Sequence, residues 1–219
     1  MRVLVLGGTG GIGLFLIDEL LAANNTVVIY ARSPQKLPER ITSNANVKIV
    51  KGELMDESAL AEALDGIHAV VSALGPAVSK GPLHPSGTPL AKAYALLISL
   101  MQKAGISRLV ALGTASNKDP NDKFNLQFWV LVNGVATFAH HAYQDVVAIG
   151  ETIRSSESLV WTIARVPILT NATSKAWVAG YVGDGMTKAW LSRAAFAAFV
   201  THELELNAWA KKAPLLSSP

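Results

Sequence analysis

The sequence contains no cysteine, which excludes disulfide bonds, thiol nucleophiles and cysteine-ligated metals together. Charge is also scarce, since only 16% of the 219 residues are charged and the net charge is +3. The basic residues occur singly or in pairs rather than as a stripe, so we expect no nucleic-acid partner. These absences favour a reducing compartment, and we expect a cytoplasmic location.

Long hydrophobic runs are absent as well. A bilayer span takes about 20 apolar residues. The most hydrophobic stretch after the N-terminal region, residues 128–132, is interrupted by Asn133 and Gly134. Met1 and Arg2 lead directly into an apolar strand pattern, without the features of a signal peptide. We therefore expect no membrane span.

Short apolar runs alternate with amphipathic stretches along most of the chain. Residues 3–6 form a continuous apolar run, typical of a strand buried on both faces, and residues 12–23 have helical periodicity. Further strands are predicted at 26–31, 47–50, 68–73, 108–112 and 159–164, and helices at 57–64, 90–104 and 143–155. This alternation predicts an α/β fold, a Rossmann-type doubly wound parallel sheet in one domain of residues 1–219.

Two segments lie outside this alternation. We expect residues 114–141 to be irregular and to cover a substrate, and residues 168–219 to form a small C-terminal elaboration. The first segment contains an apolar and aromatic stretch, namely Phe124, Phe128, Trp129, Val130, Leu131 and Phe138. This stretch is interpreted as the wall of an apolar pocket, a dimer surface or ordinary core. The oligomeric state that we expect is monomer or homodimer.

A glycine-rich turn directly follows the first predicted strand, with the sequence Gly7-Gly8-Thr9-Gly10-Gly11-Ile12-Gly13. Read from Gly8, it matches G-x-G-x-x-G, in which glycines permit a tight turn, close approach of a pyrophosphate and close helix–strand packing. The amides at the following helix N-terminus attract negative charge. The competing interpretation is a tight turn without a ligand. The position between a buried strand and an amphipathic helix favours a dinucleotide site, with contacts at Gly7, Thr9, Gly10, Gly11, Ile12 and Gly13.

The second predicted strand ends at Arg32, without an acidic residue. NAD-selective sites usually carry Asp or Glu here to accept the ribose hydroxyls. Arg32 instead offers a planar, charged donor for a 2′-phosphate, and Lys36 is close enough in sequence to assist. These residues predict NADP(H) as the cofactor, and the alternative is a solvated arginine.

The glycine motif, the Ala31-Arg32-Ser33-Pro34 turn and the segment from Trp161 to Pro167 (Trp-Thr-Ile-Ala-Arg-Val-Pro) occur together in this chain. In this combination the chain resembles the atypical short-chain dehydrogenase/reductases, and more narrowly their NAD(P)H-binding, NmrA-like branch. That branch includes small flavin and biliverdin reductases and fungal secondary-metabolism proteins. The resemblance implies contacts to the adenine, beneath the cofactor and on the nicotinamide side, at Glu53, Leu54, Ala73, Leu74, Gly75, Pro167, Ile168 and Leu169. For the leucines, core packing is the competing interpretation.

The resemblance also implies that hydroxyl residues after the fifth strand act in catalysis, here Thr114 and Ser116. The chain departs from the family at the proton donor. Short-chain dehydrogenases generally use a Tyr-x-x-x-Lys pair, but Tyr143 is followed at that spacing by Val147. Tyr143 therefore remains a candidate acid without the lysine that normally lowers its pKa.

Adjacent histidines at His140 and His141 suggest a metal or acid/base site at first sight. Neighbouring side chains on a helix point about 100° apart, so the two could not easily share one ion. No carboxylate cluster accompanies them, and we expect no metal. A surface or helix-start role is the preferred interpretation, and a general acid beside Tyr143 is the alternative.

These observations together predict an NADP(H)-dependent oxidoreductase. It would transfer a hydride to or from a small to medium-sized apolar or aromatic substrate, in secondary metabolism. Two alternatives stay open on the same fold: a non-catalytic NAD(P)-sensing regulator of the NmrA type, and a redox-neutral isomerase or cyclase.

Overall fold

The computed structural model describes residues 1–76 and 83–219. The strands are β1 Arg2–Leu6, β2 Thr26–Ala31, β3 Val47–Lys51, β4 Ala69–Ser72, β5 Arg108–Thr114, β6 Val160–Val166, β7 Ile168–Thr170, β8 Val178–Gly180, β9 Trp190–Ser192 and β10 Leu215–Ser217. The α-helices are α1 Gly11–Ala22, α2 Glu39–Thr42, α3 Glu57–Ala63, α4 Pro89–Lys103, α5 Leu126–Phe138, α6 His140–Arg154 and α7 Arg193–Leu206. A 3-10 turn, Pro34–Lys36, follows β2.

The main sheet has eight strands in the order β3-β2-β1-β4-β5-β6-β10-β8, and a small second sheet pairs β7 with β9. Every pair in the main sheet is parallel except β10 with β8. This order confirms the predicted doubly wound α/β fold. Leu6 at the end of β1 lies opposite Tyr30 of β2 and Ser72 of β4, so the carboxyl ends of the central strands are aligned. Ligands of such sheets bind outside these ends, where the strand order reverses.

Two apolar layers cover the faces of the sheet because β1, β2 and β4 are apolar on both sides. One layer contains residues of α3, α4 and α6 packed around Leu4 and Met101. The other joins α1 to α7, with Leu16, Ile29 and Phe199 among its fully buried members. The sheet packed between these two layers is a rigid support for the loops at its carboxyl edge.

The expectation of an irregular segment at 114–141 is wrong for half of its length, because residues 126–138 form α5. The Asn125 side chain accepts the backbone N–H of Phe128 at 3.2 Å and so caps the helix. Asn133 and Gly134 are weak helix formers, but α5 packs against α6, and tertiary contacts of this kind outweigh propensity.

The C-terminal part contributes more to the domain than a small elaboration. β8 and β10 extend the main sheet, and α7 packs against α1. The strands of this region have only three residues each, which is too short to show a periodic pattern in the sequence. Among the helices in the two described ranges, none is both long and apolar enough to cross a membrane.

Candidate dinucleotide site

The glycine turn between β1 and α1 is held in a shape that only glycine permits at two positions. Gly7 has a φ of +77°, and a Cβ on it would lie 2.9 Å from the carbonyl carbon of Ala73. A Cβ on Gly13 would lie 2.2 Å from the carbonyl oxygen of Gly7. Backbone atoms cannot move aside as a flexible side chain can, so Gly13 brings α1 close to the strand as the motif predicts.

Gly10 and Gly11 are less restricted by the packing of the protein than Gly7 and Gly13. Both residues are exposed. A Cβ on Gly10 would meet only the Gly7 carbonyl oxygen, at 3.3 Å, and one on Gly11 would meet only the side chain of Arg193. The first turn of α1 also lacks a side-chain cap and an acidic residue. Its N–H groups therefore face open space at the positive end of the helix, which suits an anionic ligand.

Beside this turn, the ends of β2 and β3 carry the residues assigned to the adenosine half. Arg32 follows β2 and is exposed, and Lys36 is exposed in the 3-10 turn. Within the described residues neither cation has an ion-pair partner. Both are therefore available to a phosphate at the edge of the sheet. Glu53 is exposed, and Leu54 is partly buried against the core, so the packing role considered for this leucine is present.

Tyr30 positions the turn after β3, a role that the sequence did not indicate. Its hydroxyl donates to the Glu53 carbonyl oxygen at 2.6 Å, and its ring fills the space beside Gly52. Burial, with the negative charges of Asp56 and Glu53, raises the pKa of Tyr30 to about 12. The phenol therefore stays a neutral donor that fixes the adenine-side turn.

The end of β4 is fixed by a buried pair of hydroxyl groups. The Ser72 and Tyr94 hydroxyl oxygens lie 2.7 Å apart, the Leu74 N–H donates to Ser72 Oγ at 3.3 Å, and the Tyr94 hydroxyl lies 3.4 Å from the Leu74 carbonyl oxygen. Burial raises the pKa of Tyr94 well above its ordinary value, so this phenol is structural. Ala73, Leu74 and Gly75 therefore leave the strand beside the glycine turn, and Leu74 also packs against the core.

Thr114 is the last residue of β5, at the same edge of the sheet. Its N–H donates to Asn117 Oδ1 at 3.1 Å, and its hydroxyl oxygen accepts the Ser116 N–H at 3.2 Å. Asn117 donates in turn to the Val146 carbonyl oxygen of α6 at 2.7 Å. Thr114 is partly exposed, whereas Ser116 is almost fully buried. The sequence did not single out Asn117, because its link to α6 joins residues 29 positions apart.

Tyr143 lies on α6, in the same turn that Asn117 anchors. It is partly exposed, and no hydrogen bond to its phenol is found among the described residues. Val147 follows one helical turn later, as the sequence predicts. The structure thus brings Thr114 and Tyr143 onto connected elements.

A second arrangement on α6 was not predicted. The Asp145 carboxylate is fully buried and accepts hydrogen bonds from the His84 Nε2 atom at 2.8 Å and from the N–H groups of Leu90 and Ala91 at 3.0 and 2.9 Å. It therefore caps α4 from another helix, since Thr88 at the start of α4 supplies no side-chain cap. No spacing in the sequence connects these residues.

His140 and His141 both lie in the first turn of α6 and are exposed. His140 Nδ1 lies 3.3 Å from the Ala136 carbonyl oxygen, at the junction of α5 and α6. This placement agrees with the helix-start interpretation. Across residues 1–76 and 83–219, the structure contains no group of three or more His, Asp or Glu side chains that could hold a metal ion.

The nicotinamide-side loop follows β6, beside the end of β5. Val166 lies opposite Thr114, and Pro167 comes next in the chain. Ile168 and Leu169 then form β7 with β9, so that Ile168 is exposed while Leu169 packs against the core. The loop continues to Asn171, whose side chain accepts a hydrogen bond from Arg193.

Most of the apolar stretch on and before α5 faces outward. Phe128 is buried, but Phe124, Trp129, Val130 and Phe138 are each more than half exposed. The core interpretation is therefore wrong for these four residues. A groove of about 560 Å³ lies on this surface, lined by Asn125, Leu126, Gln127, Val130 and Leu131.

Solved structures share this architecture over the whole chain. A short-chain dehydrogenase/reductase from Veillonella parvula DSM 2008, in complex with NADP, has a TM-score of 0.81 at 17% identity, with 100% of this chain and 94% of that chain covered. An anaerobillin reductase from Escherichia coli O157:H7 has a TM-score of 0.70 at 20% identity, with 100% and 98% covered. At these identities the likeness establishes the fold.

The sequence comparisons establish the family. Oxidoreductase BOA1 of Botryotinia fuckeliana (strain B05.10) is 39% identical over 77 residues, which make up 34% of this chain and 25% of that protein. The match therefore spans a quarter of the relative's length. A family model described as NAD(P)H-binding matches residues 7–206, which is nearly the whole chain. The chain belongs to this NAD(P)H-binding family, within the atypical short-chain dehydrogenase/reductases that its motifs resemble.

Proposed function

We propose that the protein is an NADP(H)-dependent oxidoreductase acting on a small to medium-sized apolar or aromatic substrate, in secondary metabolism. The observation that carries the proposal is the glycine turn, in which Gly10 and Gly11 are exposed and a Cβ on Gly11 would meet only the flexible side chain of Arg193. Their smallness is explained by a ligand that approaches the backbone closely. Exposed Arg32 beside this turn favours a ligand with a 2′-phosphate.

The residues present fit a dinucleotide at this edge of the sheet. The N–H groups of the first turn of α1 would hold the diphosphate, Arg32 and Lys36 the 2′-phosphate, and the turn at Glu53 and Leu54 the adenine. The Ala73–Gly75 backbone and the loop of Pro167, Ile168 and Leu169 would border the remainder. When bound, NADP(H) supplies or accepts the hydride.

Thr114 is placed to donate a hydrogen bond to a substrate oxygen. Its hydroxyl oxygen already accepts the Ser116 N–H, which leaves the O–H proton free to point outward. Asn117 fixes the Thr114 backbone and links it to α6, so the donor is held in place before a substrate arrives. Ser116 contributes through this N–H, because its side chain is largely buried. Tyr143 is the candidate proton donor.

A non-catalytic NAD(P) sensor is the second candidate, and one observation favours it. Val147 occupies the position of the lysine that tunes the tyrosine in related dehydrogenases, and no other cation within the described ranges forms an ion pair or hydrogen bond with Tyr143. Without that lysine, the chain lacks the usual partner of the catalytic tyrosine in related dehydrogenases. The sensor would use the same glycine turn and Arg32, so binding alone does not separate the two candidates.

The test combines cofactor binding with turnover. Arg32→Ala should weaken NADP⁺ binding about 10- to 100-fold in calorimetry, in line with a lost charge-assisted hydrogen bond, and leave NAD⁺ binding nearly unchanged. The matched control is Lys51→Ala, which removes an exposed cation from the carboxyl end of β3. This substitution should change neither the NADP⁺ affinity nor the NAD⁺ affinity. Equal losses for both cofactors would contradict the 2′-phosphate assignment. NADPH oxidation is then followed with a panel of hydride acceptors, namely quinones, flavins, enones and aromatic ketones. An enzyme reduces at least one of them, whereas a sensor binds NADPH tightly and reduces none.

A further inference from the structure

Arg193 lies beside the glycine turn although it comes from the far end of the chain. It is the first residue of α7, the helix that packs against α1. Its Nε and Cδ atoms lie 3.5 and 3.9 Å from the position that a Cβ on Gly11 would occupy. Because Gly11 has no side chain, the arginine occupies the outer side of the first turn of α1.

The electrostatic surroundings of Arg193 are unfavourable without an anion. The residue sits in the first turn of α7 and beside the first turn of α1, so two helix N-termini add their positive ends to its charge. Neither turn contains an acidic residue. No carboxylate in the described part of the chain lies within ion-pair distance of Arg193, and the nearby Asp18 is paired with Arg40 at 2.7 Å.

The guanidinium is nevertheless held in a defined position. It donates to the side chain of Asn171, in the loop that continues from the predicted nicotinamide side of the site. Ser192 fixes the start of α7, because its hydroxyl accepts the Ala195 N–H at 2.9 Å and donates to the Ser174 carbonyl oxygen. Gly11, Asn171 and Arg193 border one groove of about 530 Å³ along the outer side of α1.

We propose that Arg193 is a diphosphate-binding residue of the dinucleotide site, and that Asn171 orients its guanidinium toward the glycine turn. The proposal rests on the proposed function, since it assigns Arg193 to the cofactor described there. A guanidinium presents paired donors that match phosphate oxygens, and the diphosphate supplies the negative charge that this corner of the fold lacks. The diphosphate is common to NADP(H), NAD(H) and ADP-ribose, so Arg193 serves affinity whereas Arg32 serves selectivity.

The experiment measures the affinity of the full chain for NADP⁺, NAD⁺ and ADP-ribose by calorimetry at low salt. Arg193→Gln should weaken all three by a similar factor of roughly ten or more, the range expected for a lost charge-assisted hydrogen bond. Arg193→Lys should lose less, because it keeps the charge without the paired donors. Asn171→Ala should also lose less, because it leaves the guanidinium present but free to rotate. Lys188→Gln, at an exposed cation that neither lines this groove nor forms an ion pair within the described residues, is the matched control and should bind all three ligands as the wild type does.

Other outcomes overturn the proposal in distinguishable ways. If Arg193→Gln and Arg193→Lys bind all three ligands with unchanged affinity, Arg193 does not contact the diphosphate, although the proposed function stands. If only NADP⁺ is weakened, the arginine recognises the 2′-phosphate and the diphosphate assignment is wrong. If the wild-type protein binds none of the three ligands, the proposed function fails together with this proposal. Thermal unfolding of each variant identifies one that has lost its fold, and Arg193→Lys and Asn171→Ala then carry the test.

Discussion

Removing the Asp145 carboxylate tests the buried hydrogen bonds that join α6 to His84 and to the start of α4. Asp145→Ala leaves two backbone N–H groups, those of Leu90 and Ala91, without their acceptor, and His84 without its partner. A buried polar group left unpaired costs about 1–3 kcal/mol, and breaking a buried charged contact costs about 3–5 kcal/mol. We expect Asp145→Ala to lower the free energy of unfolding by about 3–5 kcal/mol, a large part of the 5–15 kcal/mol typical of a domain.

Urea denaturation followed by circular dichroism measures this loss as a lower midpoint at unchanged slope. Asp145→Asn keeps one acceptor oxygen and should lose roughly half as much. Asp65→Ala, at an exposed aspartate, is the control and should stay within about 0.5 kcal/mol of the wild type. A free energy of unfolding for Asp145→Ala within about 1 kcal/mol of the wild-type value would refute the reasoning, because water would then be replacing the carboxylate without cost.

Three further predictions concern the glycine turn, the reaction and acid stability. Gly10→Val should weaken NADP⁺ binding by orders of magnitude while the protein stays folded, because Gly10 is exposed and a Cβ there would contact only the Gly7 carbonyl oxygen, at 3.3 Å. Unchanged affinity in calorimetry would refute the cofactor site. In NADPH oxidation assays, Tyr143→Phe should reduce turnover modestly, whereas Thr114→Val, which removes the proposed donor to the substrate oxygen, should cost about 10²–10³-fold. Complete loss in Tyr143→Phe alone would make the phenol the essential acid. Burial would raise the pKa of the Asp122 carboxyl, but hydrogen bonds from Arg165 and backbone N–H groups hold it below the usual 3.8. The pKa of the Asp122 carboxyl is lower in the folded than in the unfolded protein. The stabilisation is therefore complete well above the unfolded pKa and is lost as the pH falls from that value through the folded pKa. Unfolding free energies should therefore decline more steeply below about pH 4 in the wild type than in Asp122→Asn, and equal slopes would contradict this.

The sequence by itself determined the parts of this protein whose causes are local. The strand, the glycine turn and the following helix occupy residues 2–22 without a break, and Gly13 packs the helix close to the strand as the motif predicts. Alternating apolar runs sufficed to predict a parallel sheet covered on both faces, because strands buried on both faces require continuous apolar sequence. Arg32 and Lys36 were singled out from local sequence as well, since Arg32 directly follows β2 and Lys36 comes four residues later.

Only the tertiary structure decided which distant residues meet. His84 and Asp145 are 61 residues apart, and Arg193 reaches Gly11 from the opposite end of the chain. Helix α5, which contains weak helix formers, is held by packing against α6, and the three-residue strands are held by their neighbours in the sheets. Periodicity reports which face of an element is apolar, but it does not report which polar group of one element will face which group of another. Such pairings arise when buried donors, acceptors and charges must be satisfied within one packed core, and that requirement acts on the whole chain at once.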